Sequence, residues 1–204
     1  MPQPTTALLP VPLAPEISLH LFDRPAGLFD LSGGEFRSDE PPPFWAFVWA
    51  GGQALARYVL DHPGAVAGKR VHDLATGSGI AAIAAAKAGA ARVTVSDVDP
   101  AAVAAALRNA EANRVEIGPS DDEPGGEQCD VVLAGDVFYS RTVAEQMTAL
   151  LRKARRESAE VLVGDPGRGY FPDRLFDRLA TYVVPVPTAL EEAETLETGI
   201  WRMR

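Results

Sequence analysis

The chain has 204 residues, a formal net charge of −9 at pH 7 and 47% hydrophobic residues, which is the composition of one ordinary globular domain. Its charge-free stretches are shorter than the ~18 apolar residues that a membrane-spanning helix needs. The excess of acid disfavours a nucleic-acid partner, because phosphate binding depends on Lys and Arg. The single cysteine, Cys129, fits a reducing compartment, and the start of the chain matches no signal or transit peptide, so we expect a cytoplasmic protein.

Residues 1–40 are Pro-rich and are interpreted as a partly irregular N-terminal extension of one principal domain, residues 41–204. Residues 44–60 are first aromatic and then helical in pattern, and beyond them short β-branched runs alternate with Ala-rich helical windows. This alternation predicts an α/β fold, a Rossmann-like, mostly parallel sheet with helices on both faces. A further strand at 115–117 is poorly marked, and residues 118–128 are typical of a surface loop. The predicted elements are strand 70–74, helix 79–88, strand 92–96, helix 101–113, strand 130–134, helix 142–158, strand 161–164, helix 173–180, and strands 182–186 and 196–203.

A glycine-rich turn, DLATGSGIAA, joins the first predicted strand to its helix and includes Asp73, Gly77 and Gly79. Free helix N–H groups and closely approaching backbone make such a turn a ligand site. Residues 77–82 satisfy G-x-G-x-x-A, the dinucleotide fingerprint, which is a weak signal by itself. The carboxylate of Asp73 at the strand end would repel a pyrophosphate and attract an ammonium. S-adenosylmethionine (SAM) carries an ammonium and a sulfonium and no phosphate, so the charge favours SAM.

The second strand of the pattern ends in VTVSDVDP, which places Asp97 18 residues after the last glycine of the turn. A carboxylate at this position accepts both hydroxyls of a ribose, in SAM or in a dinucleotide. Asp99 before Pro100 is typical of a helix N-cap. An NAD-binding oxidoreductase of the short-chain type would carry a Lys four residues after its catalytic Tyr, but Val143 stands four residues after Tyr139.

Four segments in order, DLATGSG, VTVSDVDP, LAGDVFYS and GDPGRGYFP, preceded by PPPFWAFVWAGGQALARYVLDHP, closely resemble the seven-β-strand SAM-dependent methyltransferases. Within that group they resemble the family that methylates lysines on the electron transfer flavoprotein β-subunit. The resemblance extends from about Pro15 to the C-terminus. It implies a seven-stranded sheet whose last strand is antiparallel, a SAM pocket at the carboxyl ends of the strands, and protein-lysine N-methylation as the reaction.

The resemblance also assigns residues to the cofactor. Ala75 departs from the family pattern, because a glycine is usual there, and the departure costs little if φ is below zero. The acid that contacts adenine in the family has no well-marked counterpart in this sequence, and the candidates are Asp121 and Asp122. The expected cofactor contacts are Asp73, Ala75, Thr76, Gly77, Gly79, Asp97, Val98, Trp49 and Asp136.

A second set of residues is assigned to catalysis and to the substrate. Asp136 and Tyr139 match the D-x-x-Y element beside the transferred methyl group, and we expect both to be catalytic. Asp165 and Arg168 match a loop that resembles a substrate-recognition element, and Trp45 of the aromatic segment is expected to contact substrate.

The proposed chemistry needs a neutral amine, whereas a free Lys has a pKa of ~10.4. Covering aromatic rings would desolvate the ammonium, and Asp136 would orient the amine and accept a hydrogen bond or the proton. Tyr139 is the better candidate for the site and Phe138 for the core, because neighbouring residues alternate in direction. Trp45 and Trp49 share one helical face if their segment is helical.

Other functions remain open on the sequence alone. The acceptor is alternatively ribosomal protein L11 or a small amine of the nicotinamide type. A SAM-binding module without catalysis is less favoured, because it has no need of an aspartate beside the methyl group. No metal site is expected, since the histidines lack ligand spacing and partner cysteines; they are His20, His62 and His72.

Overall fold

The computed structural model describes residues 6–22, 43–120, 129–187 and 193–204. Three short 3-10 helices, Phe44–Ala46, Pro63–Ala65 and Asp173–Leu175, accompany the α-helices and strands. The α-helices are α1 (Ala50–Asp61), α2 (Ile80–Lys87), α3 (Pro100–Ala112) and α4 (Arg141–Arg156). The strands are β1 (Thr6–Pro10), β2 (Ser18–Phe22), β3 (Arg70–Leu74), β4 (Arg92–Ser96), β5 (Gly118–Pro119), β6 (Val131–Gly135), β7 (Glu160–Asp165), β8 (Phe176–Pro185) and β9 (Thr195–Met203).

Seven strands form the main sheet, in the order β5-β4-β3-β6-β7-β9-β8. The pairs among β3 to β7 are all parallel, and β9 is antiparallel to both of its neighbours, β7 and β8. The seven-stranded, mostly parallel sheet with an antiparallel last strand is therefore confirmed. The chain leaves β3 towards β4 and β5 and returns on the other side to β6, so the strand order reverses between β3 and β6. A ligand crevice forms at the carboxyl ends of the strands at such a reversal.

Helices cover both faces of the sheet because successive strand side chains alternate in direction. Val71, Val131 and Leu162 lie in one core cluster together with residues of α1, α2 and α3. Val132 and Val163 lie in a second cluster, on the opposite face, together with residues of α4. Within the described ranges, no helix combines the length and the apolarity that crossing a bilayer requires.

The predicted helix at 173–180 is wrong. A single 3-10 turn ends at Leu175, and strand β8 begins at Phe176, six residues before the start of the predicted strand. Residues 174–180 include good helix formers, but β8 pairs with β9 from Phe176↔Met203 to Pro185↔Thr195. Pairing of this kind overrides local preference, because strand formation depends mostly on the neighbouring strand.

The strand predicted at 115–117 lies slightly later in the chain, where Gly118 and Pro119 pair with β4. Residues 121–128 of the predicted loop, with Asp121 and Asp122, lie outside the described residues.

The N-terminal extension contains order that the sequence did not indicate. Strands β1 and β2 form an antiparallel pair, and Ile17 and Leu19 are buried in the main core. The side chain of Asn113, the C-cap of α3, accepts from the backbone N–H of Ser18 (3.0 Å) and donates to the Ser18 carbonyl (2.6 Å), as a strand neighbour would. Residues 6–22 therefore pack as part of the main structure, and the boundary predicted at residue 41 falls within 23–42, which lie outside the described residues.

Candidate active site

The carboxylate of Asp73 at the end of β3 is 2% exposed and holds the glycine turn together. One of its oxygens accepts hydrogen bonds from the Thr76 hydroxyl (2.7 Å) and from the Ala82 N–H in the first turn of α2 (3.2 Å). Burial raises the pKa of this carboxyl to about 7; the two hydrogen bonds oppose the rise, and the charge of Asp97 adds to it. A cation placed beside Asp73 would restore its ionised form.

Two positions in the turn have left-handed backbone with different consequences. Gly79 has φ +82°, and a Cβ there would lie 2.7 Å from the Cβ of Ala106, so only glycine lets α2 approach α3 this closely. Ala75 has φ +56°. The expectation of a φ below zero at Ala75 is wrong, and the methyl group that replaces the usual glycine carries a steric cost.

Asp97, at the end of β4, reaches across to the glycine turn. Its two oxygens accept from the N–H of Gly77 and from the N–H of Asp99, each at 3.0 Å. Asp99 caps α3 through the N–H of Ala101 (2.8 Å), with Pro100 at the first helical position, so the predicted cap is confirmed. The N–H of Gly77 is thus engaged by a carboxylate and is not available to a phosphate. The side chain of Val98 is 96% exposed beside Asp97.

Asp136 follows β6 and receives hydrogen bonds from two distant segments. One oxygen accepts the N–H of Gly51 in the first turn of α1, and the other accepts Nε of Arg168 at 2.7 Å. The residue is 8% exposed and has φ +57°, a left-handed conformation that Asp tolerates better than most residues. Backbone strain of this kind is concentrated at functional sites.

Close backbone contacts between glycines bring α1 to Asp136. A Cβ on Gly51 would lie 2.2 Å from the Gly164 carbonyl oxygen, and a Cβ on Gly135 would lie 2.9 Å from the backbone of Gly52. Sequence reasoning missed these glycines. The signal was present in the repeated Gly-Asp at the ends of β6 and β7 and in the Gly-Gly pair that opens α1.

Aromatic side chains form a rim beside Asp136. The ring of Phe44 lies 5.9 Å from the ring of Trp49 and 6.3 Å from the ring of Tyr139, measured between centroids. Tyr139 is 52% exposed, and partial burial together with the charge of Asp97 raises its pKa. Phe138 is fully buried in the core, as predicted.

The two tryptophans of the aromatic segment have different surroundings. They do not share a helical face, because the 3-10 helix ends at Ala46 and α1 begins at Ala50. Trp49 lies beneath the guanidinium of Arg168, 5.7 Å from ring centroid to Cζ. Trp45 packs against Phe22 of β2, with 6.3 Å between ring centroids, so its assignment to the substrate rests on the resemblance alone.

Asp165 ends β7, next to Asp136, because Gly135 and Gly164 are paired in the β6–β7 ladder. It is 2% exposed; Oδ1 accepts the N–H of Gly167 at 2.7 Å, and Oδ2 has no hydrogen-bond partner among the described residues. Burial raises the pKa of Asp165 to about 6; the Gly167 bond and the Arg168 charge oppose the rise, and the Asp136 charge adds to it. Nowhere in the described part of the chain do three or more His, Cys, Asp or Glu side chains form a group that could hold a metal.

Comparison with known proteins places this site in a family. A family model described as ribosomal protein L11 methyltransferase (PrmA) matches residues 54–156. The electron transfer flavoprotein β-subunit lysine methyltransferase of Danio rerio is 39% identical over 93% of this chain and 76% of its own length. The protein of the same name from Xenopus laevis is 35% identical over 93% and 80%.

Solved structures agree with the fold. The magnesium protoporphyrin IX methyltransferase of Synechocystis, with bound SAM, superposes with a TM-score of 0.54 at 18% identity, over 75% of this chain and 81% of that one. The glycine turn, the two strand-end carboxylates and these relatives agree with one another. The chain is a SAM-dependent methyltransferase and belongs to the family of electron transfer flavoprotein β-subunit lysine methyltransferases.

Proposed function

We propose that this protein transfers a methyl group from SAM to the ε-amine of a lysine on the electron transfer flavoprotein β-subunit. The observation that supports this most directly is Asp136, a strained carboxylate at the strand-order reversal with an exposed aromatic rim beside it. The substrate is the one that the names of the relatives from Danio rerio and Xenopus laevis state.

The residues of the glycine turn suit a cationic cofactor. Asp73 provides negative charge at the end of β3, and Thr76 fixes the direction of its carboxylate. The oxygens of Asp97 each retain a lone pair beyond the bonds to Gly77 and Asp99, and these can accept ribose hydroxyls. The exposed side chain of Val98 can pack against a ring of bound SAM. SAM supplies an electrophilic methyl group on its sulfonium.

The residues around Asp136 suit an amine acceptor. Asp136 accepts a hydrogen bond from the amine and so aligns its lone pair with the methyl carbon, at ~3 to 3.5 Å. Tyr139 presents a ring face that attracts the positive charge that develops on nitrogen, and Trp49, which lies beneath Arg168, helps to exclude water. Asp165 and Arg168 form the floor and one wall of the lysine channel, and Trp45 supports the aromatic segment.

The experiment is a transfer assay with SAM labelled in its methyl group. Purified protein is incubated separately with the flavoprotein, with ribosomal protein L11 and with nicotinamide, and products are located by mass spectrometry. We expect the label on a lysine of the flavoprotein β-subunit and no label when Asp136→Ala replaces the wild type. Label on L11 alone would support the second candidate, which the family-model match favours.

A further inference from the structure

The site contains a cation, Arg168, beside the carboxylate that we assign to the lysine acceptor. Arg168 Nε lies 2.7 Å from Asp136 Oδ1, and its guanidinium lies over the ring of Trp49 at 5.7 Å. A carboxylate and an indole face are the partners that an incoming lysine ammonium would choose. Arg168 therefore already occupies the interactions that would hold the acceptor in its charged and unreactive form.

The surrounding charges show what the site would do without this cation. Asp136 and Asp165 are adjacent strand-end carboxylates, and each negative charge is felt by the other. Tyr139 contributes no charge near pH 7, since the ordinary pKa of a tyrosine is ~10 and burial raises it further. Asp97 lies close enough to act on Tyr139, and α1 contributes an N-terminal amide through Gly51. Two carboxylates facing a lysine would stabilise the ammonium and raise the pKa of the acceptor, which opposes the reaction.

The loop that carries Arg168 is built to set its position. Gly167 and Gly169 flank it with φ of +83° and +88°, and no heavy atom lies within 4 Å of a Cβ placed on either. Asp165 fixes the start of the turn by accepting the Gly167 N–H. The side chain of Arg168 is 22% exposed, so its positive charge acts more strongly on neighbouring groups than that of a surface arginine.

We propose that Arg168 selects the neutral amine: its charge compensates Asp136, so the channel accepts a deprotonated lysine and Asp136 only orients it. This rests on the proposed function and extends it. The lysine ammonium gives its proton to bulk water. The nitrogen lone pair then forms the bond to the methyl carbon as the carbon–sulfur bond breaks, with its electron pair left on sulfur. The product is a methylated lysine in its positively charged ammonium form, which the charge of Arg168 helps to expel.

The test compares two substitutions of Arg168 through the pH dependence of kcat at saturating flavoprotein, from pH 6 to pH 10, because kcat reports ionisations in the enzyme–substrate complex. Arg168→Gln removes the charge and keeps hydrogen-bond donors, whereas Arg168→Lys keeps the charge. For Arg168→Gln we expect the acid limb of kcat to move up by at least one pH unit, which lowers kcat at pH 7 about tenfold or more, with wild-type rates near pH 10. Arg168→Lys keeps the positive charge, so its pH profile should stay close to that of the wild type.

Controls separate this role from others. Arg152→Gln, at an exposed position of α4, removes one positive charge away from the site and should keep the wild-type profile. The Kd for SAM should stay within twofold in all variants. A loss for Arg168→Gln that is equal at every pH would overturn the proposal and leave a purely geometric role. A gain in kcat would also overturn it, because Arg168 would then be an obstruction.

A second measurement needs no acceptor. Carbon-13 NMR of aspartate-labelled protein follows the titration of Asp165, whose pKa the charge of Arg168 lowers. In Arg168→Gln this pKa should rise, and an unchanged value would contradict electrostatic coupling between Arg168 and the carboxylates. A wild-type protein that methylates no lysine of the flavoprotein contradicts the proposed function instead, and the NMR titration still decides whether Arg168 acts on the pair.

Discussion

The crevice has a cofactor side, with Asp73 and Asp97, and a transfer side, with Asp136. The aspartates of the two sides are held in different ways. Asp73 and Asp97 belong to one β-α-β unit, and their backbone partners, such as Gly77, lie at most 20 residues away. The Gly51 N–H that Asp136 accepts comes from 85 residues away, and backbone-to-backbone glycine contacts hold the two segments together. The cofactor side is therefore set by local chain geometry and the transfer side by long-range packing, so each should fail independently of the other.

The largest effect is expected from Gly164→Ala, because its Cβ would lie 2.1 Å from the carbonyl oxygen of Gly51. Neither backbone can move without displacing α1 from β6 and β7, so the free energy of unfolding should fall by about 3 kcal/mol. Urea denaturation measures this. Gly64→Ala is the control, since no heavy atom lies within 4 Å of its Cβ, and it should change stability by less than about 0.5 kcal/mol.

Asp136→Asn tests whether the transfer side acts separately from cofactor binding. Asn tolerates the left-handed backbone but loses the charge that pairs with Arg168 and orients the amine. We expect kcat to fall about 100-fold, a typical loss for a positioned polar catalytic group, and the Kd for SAM to stay within twofold. A parallel weakening of SAM binding would show that the two sides are one coupled unit.

The pH dependence of SAM binding tests the cofactor side. In the free protein the pKa of Asp73 is raised to about 7, and the SAM ammonium favours the ionised carboxyl, so binding lowers that pKa. Below pH 7, binding must therefore release a proton, and the affinity should weaken by up to about tenfold per pH unit as the pH falls. Calorimetry from pH 5.5 to 7 should give this slope for the wild type and a flat line for Asp73→Asn. The same slope in both would exclude Asp73 as its source.

The smallest effect is expected from Ala75→Gly within the glycine turn. Relief of the left-handed strain at φ +56° should stabilise the protein by about 0.5 to 1 kcal/mol, after the loss of a half-buried methyl group. Thermal unfolding would show a rise of a few degrees. Ala88→Gly is the matched control at φ −80°, where glycine should only destabilise.

The sequence by itself determined the part of this protein that depends on neighbouring residues. The strands at 70–74 and 92–96, the turn from Asp73 to Gly79, the acid at Asp97 and the N-cap at Asp99 all lie where the pattern predicted. Period-two and 3.6-residue patterns, turn glycines and caps act over a few residues, so they are visible in a single chain.

Only the tertiary structure decided the rest. Strand β8 replaced a predicted helix because β9 supplied a partner. Besides β1, strand β2 found partners in Asn109 of α3 and in Asn113, the C-cap of α3. Ala75 adopted a left-handed φ of +56°, which the local pattern did not indicate. The meeting of α1 with Asp136, and of Arg168 with both Asp136 and Trp49, depends on glycines that permit contact between distant backbones. Such contacts depend on the shape of the whole fold, which a local pattern does not contain.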